Sequence, residues 1–165
     1  MRSAKIALVL TALALAIQGP AWAQTATANL SISATVNGNC TITTSAVAFG
    51  SYDPVGTHAA TPLDNTGGVT VTCTKGAGTR IDLGLGANAS GSTRRMQGPT
   101  DLLTYELYQD SARTTIWSSG AGSGLAIAVA PSITPRSFTV YGRVPAAQNV
   151  GAGTYTDTVL ATVNF

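Results

Sequence analysis

The 165-residue chain has a formal net charge of +2 and charged side chains at only 10% of its positions, and Arg94 and Arg95 are its only adjacent cations, so it has no basic stripe for nucleic acid. One histidine, His58, and two cysteines give too few ligands for a metal centre. Neither a Gly-x-Ser-x-Gly elbow nor a cluster of Asp and Glu offers nucleophilic or acid–base chemistry, so no enzyme activity and no cofactor are expected.

Residues 1–23 read as a secretory signal peptide. Arg2 and Lys5 precede the apolar run Ile6 to Ile17, and Ala21-Trp22-Ala23 places small residues where a signal peptidase needs them. The run is too short to span a bilayer, and no later segment is long or apolar enough to do so. Cleavage after Ala23 leaves 142 residues, the size of one domain. Two of the nine Lys and Arg lie in the signal, so seven remain against seven acidic residues. A near-neutral surface of this kind favours association.

Beyond the signal, Lys75 is the one lysine and Glu106 the one glutamate, while Thr, Gly, Ala and Val abound. Helix surfaces have little to be made from, and the class is all-β. Turn residues recurring about every ten positions predict a β-sandwich. The first strand, about Thr27 to Val36, sets Ala28, Leu30, Ile32, Ala34 and Val36 on one face and ends at Asn37-Gly38-Asn39. Cys40 to Phe49 follows and closes at Asp53-Pro54. A turn at Gly67-Gly68 precedes Val69 to Thr74, and Thr79 to Leu85 comes next. Ala87 to Thr100 reads as a long surface loop. Leu103, Tyr105 and Leu107 alternate in another strand, Ile116-Trp117 adds a short one, and Leu125, Ile127 and Val129 alternate after a glycine-rich link. Phe138, Val140 and Val144 form an inward set ended by Pro145. The last strand, Tyr155 to Phe165, carries Val159, Ala161, Val163 and Phe165 on one face. It leaves a bare edge, which is a template for pairing with another chain.

Cys40 and Cys73, in an exported chain, are expected to form a disulfide. Closing that loop restricts the unfolded chain by roughly 3.7 kcal/mol in the entropy model. Gly84-Leu85-Gly86-Ala87-Asn88-Ala89 spells a loose dinucleotide pattern, but Ser90-Gly91-Ser92-Thr93 follows where a helix should open, so it is rejected. His58 reads as a surface bystander.

Several segments match one family in order: Ala48-Phe49-Gly50-Ser51-Tyr52-Asp53, then Val69-Thr70-Val71-Thr72-Cys73, then Leu103 to Asp110 leading to Ile116-Trp117. Val140 to Pro145 and Gly153 to Val159 complete the set. The chain resembles the spore coat protein U domain family, which includes pilin subunits of archaic, Csu-type chaperone–usher pili. The resemblance implies an incomplete immunoglobulin-like β-sandwich, spanning residues 40–165, that lacks its final strand and is completed by donor-strand exchange. Residues 24–39 would be the donor extension, with Leu30, Ile32 and Val36 as plugs and Ala28 and Ala34 as smaller ones. Tyr155, Val159, Ala161, Val163 and Phe165 would edge the acceptor groove and meet a periplasmic chaperone. An outer-membrane usher and other pilin subunits are the remaining implied partners, and a surface fimbrium supporting attachment and biofilm is the implied outcome.

Three other readings stay open. Asn37-Gly38 is a strong hairpin signal, so Thr27 to Val36 could fold back on Cys40 to Phe49 in one closed monomer. Tyr105, Tyr108, Trp117 and Tyr141 could line a carbohydrate-binding face. A spore or cyst coat component is also compatible with the family's name.

Overall fold

The computed structural model describes residues 22–120 and 122–165. The chain divides into two units, Met1–Ala34 and Thr35–Phe165. Within the second, eight strands follow in order: β1 (Cys40–Ser45), β2 (Leu63–Cys73), β3 (Arg80–Leu83), β4 (Arg94–Gln97), β5 (Leu102–Tyr108), β6 (Leu125–Ala126), β7 (Arg136–Val144) and β8 (Ala161–Asn164). The only helical piece among the described residues is one short 3₁₀ turn, Thr57–Ala59. The all-β class holds.

The strands form two antiparallel sheets, β1-β2-β7-β5-β4 and β6-β3-β8. Alternation sets what each face buries. On β2, Val69, Val71 and Cys73 point inward; on β5, Leu103, Tyr105 and Leu107; on β7, Val140 and Val144. Ile81 and Leu83 of β3 meet them from the second sheet, and Trp117 fills the space between, fully buried. Its indole Nε1–H donates to the Ile81 carbonyl at 2.9 Å, which satisfies the one polar atom the ring carries inside.

The Cys40–Cys73 disulfide is present and ties β1 to β2. The two cysteines face each other across the ladder with Cα atoms 4.1 Å apart, the close spacing of a pair that exchanges no backbone hydrogen bonds.

Several sequence expectations change. Gly67-Gly68 is no turn but lies inside β2, opposite Val140 and Thr139. Glycine is there because a second segment crosses close by: a Cβ on Gly67 would meet the Ser45 carbonyl at 2.7 Å and Val47 at 2.8 Å. The predicted loop Ala87 to Thr100 contains β4, an edge strand whose polar sequence hides it. Strand Cys40 to Phe49 ends at Ser45, beyond which the chain leaves β2 and crosses over the inner face. Ile116 makes only an isolated bridge to Tyr108, and regular pairing at the C-terminus is confined to Ala161–Asn164, with a bridge at Thr156. No strand forms over residues 27–36 of the isolated chain, and no hairpin forms at Asn37-Gly38.

Gly142 of β7 shows what the crossing segment demands. A Cβ there would meet Val47 at 2.6 Å and the Phe49 ring at 2.7 Å. Gly142→Ala is therefore expected to destabilise the fold by about 1–3 kcal/mol through overpacking. A thermal melt by circular dichroism checks this; an unchanged midpoint would mean the segment shifts freely.

Candidate functional site

An open cleft separates two stretches of backbone that lie over the core. One wall is the crossing segment after β1, where Val47 and Phe49 point down; the other is Tyr155 to Ala161, leading into β8. The cleft has two lobes of about 630 and 400 Å³ that meet at Val47, Met96 and Tyr155. The floor of the smaller lobe is Val69, Leu83, Tyr105, Leu107 and Val140, and that of the larger includes Leu63, Leu103 and Val144. All of these are apolar core residues but for the Tyr105 hydroxyl. Phe49 packs edge-on against Tyr105, with ring centroids 6.2 Å apart.

The C-terminal wall is built as a strand throughout, even where regular pairing lapses. Thr156 exchanges both backbone hydrogen bonds with Gln97, the Thr158 and Leu160 carbonyls accept from Ala87 and Gly84, and the Asn164 carbonyl accepts from Thr79. These even-numbered residues spend their backbone groups on the body of the domain. In an extended chain the odd-numbered ones point theirs the other way, into the cleft. Side chains alternate to match: Tyr155, Asp157, Val159, Ala161 and Val163 are half-buried, while Thr156, Thr158, Leu160 and Thr162 are exposed. The opposite edge repeats the pattern. The Asn39 carbonyl accepts from Thr74 N–H, which fixes the β1–β2 register and leaves Cys40, Ile42 and Thr44 with backbone groups turned away from β2.

Polar anchors hold this wall. The Tyr105 hydroxyl donates to Asp157 Oδ2 at 2.7 Å, and Asp157 Oδ1 accepts from the Ala87 and Asn88 backbone and from Asn88 Nδ2. Burial first, and then the Asp157 carboxylate, push the Tyr105 phenol well above its usual range, so it stays a donor. Gly86, at φ +90°, lets the chain wrap the carboxylate: a Cβ would sit 1.9 Å from Asp157 Oδ2. The rejected dinucleotide pattern is thus a carboxylate-binding turn within the fold. Tyr155 donates to the Gly151 carbonyl at 2.7 Å, and its ring lies where a side chain on Gly98 would be. At the far end Asn164 Nδ2 donates to Asp82 Oδ2 at 2.8 Å, and Arg80 donates to both Asp82 oxygens.

Asp82 links the wall to acidity. Burial opposes its charge, but hydrogen bonds from Arg80 and Asn164 outweigh that, and its carboxyl ionises below the usual range. A lowered folded pKa stabilises the protein above the unfolded value and loses that contribution as pH falls through the folded one. Stability is therefore expected to drop below about pH 4. In Asp82→Asn, urea midpoints followed down the acid limb should fall less steeply; a slope equal to wild type would remove Asp82 from the cause.

Of the expected acceptor residues, Tyr155 lines both lobes, and Val159 and Ala161 line the smaller. Val163 pairs with Ile81 on β8, while Phe165 lies past the strand and is 61% exposed. Leu30, Ile32 and Val36 are 83%, 88% and 81% exposed, in a row with Ala28 and Ala34. Sequence reasoning missed the Val47–Phe49 wall; its signal was the alternation of Val47, Phe49 and glycines facing them from β2 and β7. The aromatic face is not assembled, since Tyr105 and Trp117 are core. His58 belongs to a tight turn, where its Nδ1 accepts from Asp53 N–H at 2.9 Å and its ring stacks on Tyr52. Among the described residues no group of three or more His, Cys, Asp or Glu is placed to hold a metal.

Comparison with known proteins identifies the family and the fold. The sequence pattern of the Spore Coat Protein U domain matches residues 26–162. "Protein U" of Myxococcus xanthus is 42% identical over 177 residues, covering 97% of this chain and 96% of that protein. The fold is similar to a chain in the crystal structure of the CsuC–CsuE chaperone–tip adhesion subunit pre-assembly complex from the archaic chaperone–usher Csu pili of Acinetobacter baumannii. The TM-score is 0.56 at 23% identity, covering 79% of this chain and 40% of that one. An all-β sandwich with an apolar cleft between Val47–Phe49 and Tyr155–Ala161, matched by this pattern along most of its length, belongs to the spore coat protein U domain family.

Proposed function

We propose that the chain is a structural subunit of a surface pilus and polymerises by donor-strand exchange. The observation that carries this is the cleft itself, a strand-shaped gap with an apolar floor and free backbone groups on its C-terminal wall. A strand laid there would pair with the odd-numbered residues of Tyr155 to Phe165 and complete the second sheet. Residues 24–39 of the next subunit supply that strand, with Leu30, Ile32 and Val36 entering the cleft and Ala28 and Ala34 filling its shallower places. Since the donor of one copy enters the acceptor of another, the contact is head-to-tail and builds an open fibre.

Before assembly the apolar cleft needs a cover in water. A periplasmic chaperone pairs with the C-terminal strand in that interval, and an outer-membrane usher exchanges it for the next donor. Residues 1–23 direct export, and the fibre at the cell surface supports attachment and biofilm. The likeness to a subunit seen with its chaperone before assembly supports a chaperone partner. A coat role is the second reading, favoured by the 42% identity to Protein U and by the family's description.

Gel electrophoresis of a surface-shear fraction, unheated against boiled, tests the proposal. A ladder that collapses to one band on boiling is expected. A single monomer band in both lanes would overturn it.

A further inference from the structure

The Cys40–Cys73 disulfide has a cationic neighbour. Arg136, the first residue of β7, donates through Nη1 to the Ala128 carbonyl at 2.6 Å and lies 6.0 Å from the centre of the Phe138 ring. Its Nη2 is buried and has no hydrogen-bond partner among the described residues. That nitrogen and both sulfurs crowd the bare face of Gly78: a Cβ there would sit 3.0 Å from Cys73 Sγ, 3.6 Å from Cys40 Sγ and 3.7 Å from Arg136 Nη2. Gly78 takes φ +82°, so no side chain intervenes. No carboxylate forms an ion pair with Arg136 among the described residues, and the nearest charged residue in sequence to Cys73 is another cation, Lys75. The two cysteines also differ: Cys73 is 2% exposed as a residue, Cys40 half-buried.

We propose that Arg136 is a positioning residue for thiol–disulfide exchange at this bond, keeping it open to exchange in the folded domain. An external thiolate attacks at Cys40, the more exposed of the two residues. It forms a bond to Cys40 Sγ, and the S–S electron pair leaves on Cys73 Sγ as a buried thiolate. Alone, that anion would be costly to form in an apolar setting. Beside an unpaired guanidinium the Cys73 thiol becomes the better leaving group. The second thiol of the dithiol then attacks the mixed disulfide and releases Cys40. Two electrons pass to the chain, and the dithiol becomes a disulfide. Run in reverse, with a dithiol–disulfide oxidase as acceptor, the same arrangement lets the bond close after β1 has docked on β2.

The test is reduction of the oxidised, folded protein by dithiothreitol without denaturant, with free thiols trapped and counted over time. Arg136→Gln is expected to slow reduction about tenfold, whereas Arg136→Lys, which keeps the charge, should restore most of the rate. A merely structural role moves the rate the other way, because a loosened domain exposes its disulfide and is reduced faster. Equal rates in wild type and Arg136→Gln, faster reduction in Arg136→Gln, or no recovery in Arg136→Lys would each overturn the proposal. Thermal melts of the oxidised variants identify any acceleration that comes from unfolding.

Discussion

Subunits carrying Ile32→Asp are expected to reach the chaperone-bound state at wild-type yield and to give no ladder. Leu30, Ile32 and Val36 are almost fully exposed in the isolated chain, so changing one of them gives up little buried surface there. Buried in a neighbour's cleft, each contributes roughly 1.5–3 kcal/mol. The three together supply on the order of 4–9 kcal/mol before the backbone ladder is counted, an upper bound because the unfolded reference is idealised. Aspartate at Ile32 forfeits its share and carries a carboxylate over an apolar floor, which costs several kcal/mol more. A loss of ~4 kcal/mol is already about a thousandfold in affinity. Ile32→Val keeps the shape and should give an ordinary ladder. Ladders of normal length from Ile32→Asp would end the donor assignment for residues 24–39.

Much of this was written in the alternation of apolar residues. Leu103, Tyr105 and Leu107 announce β5, Phe138 to Val144 announce β7, and Val159 and Ala161 of the last alternating set line the smaller lobe of the cleft. The failures have physical causes. β4 reads Arg-Arg-Met-Gln and looks like surface loop, yet Arg94 is fully buried and takes its place through hydrogen bonds instead of hydrophobicity. Gly67-Gly68 has the chemistry of a turn and serves as a strand, because glycine answers equally to tight bends and to a close neighbour. That neighbour is the Val47–Phe49 wall, distant in sequence from the strands it covers and invisible to any local pattern. The Thr27 to Val36 segment shows the converse: its alternation is real, but a strand needs a partner for its ladder, and the isolated chain gives it none.

Arg94→Ala should be the most damaging single change within the domain. The guanidinium is 0% exposed, pairs with Glu106, and donates to the carbonyls of Leu83, Gly84 and Trp117. It thus gathers the end of β3, the strand β5 and the loop carrying the buried tryptophan around one charge. Removing it leaves Glu106 without its partner and three carbonyls unsatisfied, a loss of about 3–5 kcal/mol for a broken buried pair. For a domain of this size that is roughly 10–20 °C in the melting midpoint. Arg94→Lys keeps the charge but not the planar fork, and should recover only part of the difference. The double variant Arg94→Met, Glu106→Gln should be more stable than Arg94→Ala, because it removes the stranded carboxylate along with its partner. A midpoint for Arg94→Ala within a degree or two of wild type would show that Glu106 and the carbonyls find water instead. Met96 lies on the same strand and lines both lobes of the cleft, so a loosened β4 should also disturb the floor beneath an incoming strand. Arg94→Ala is accordingly expected to shorten the ladder even at temperatures where the subunit remains folded, an effect that a purely global loss of stability would not produce.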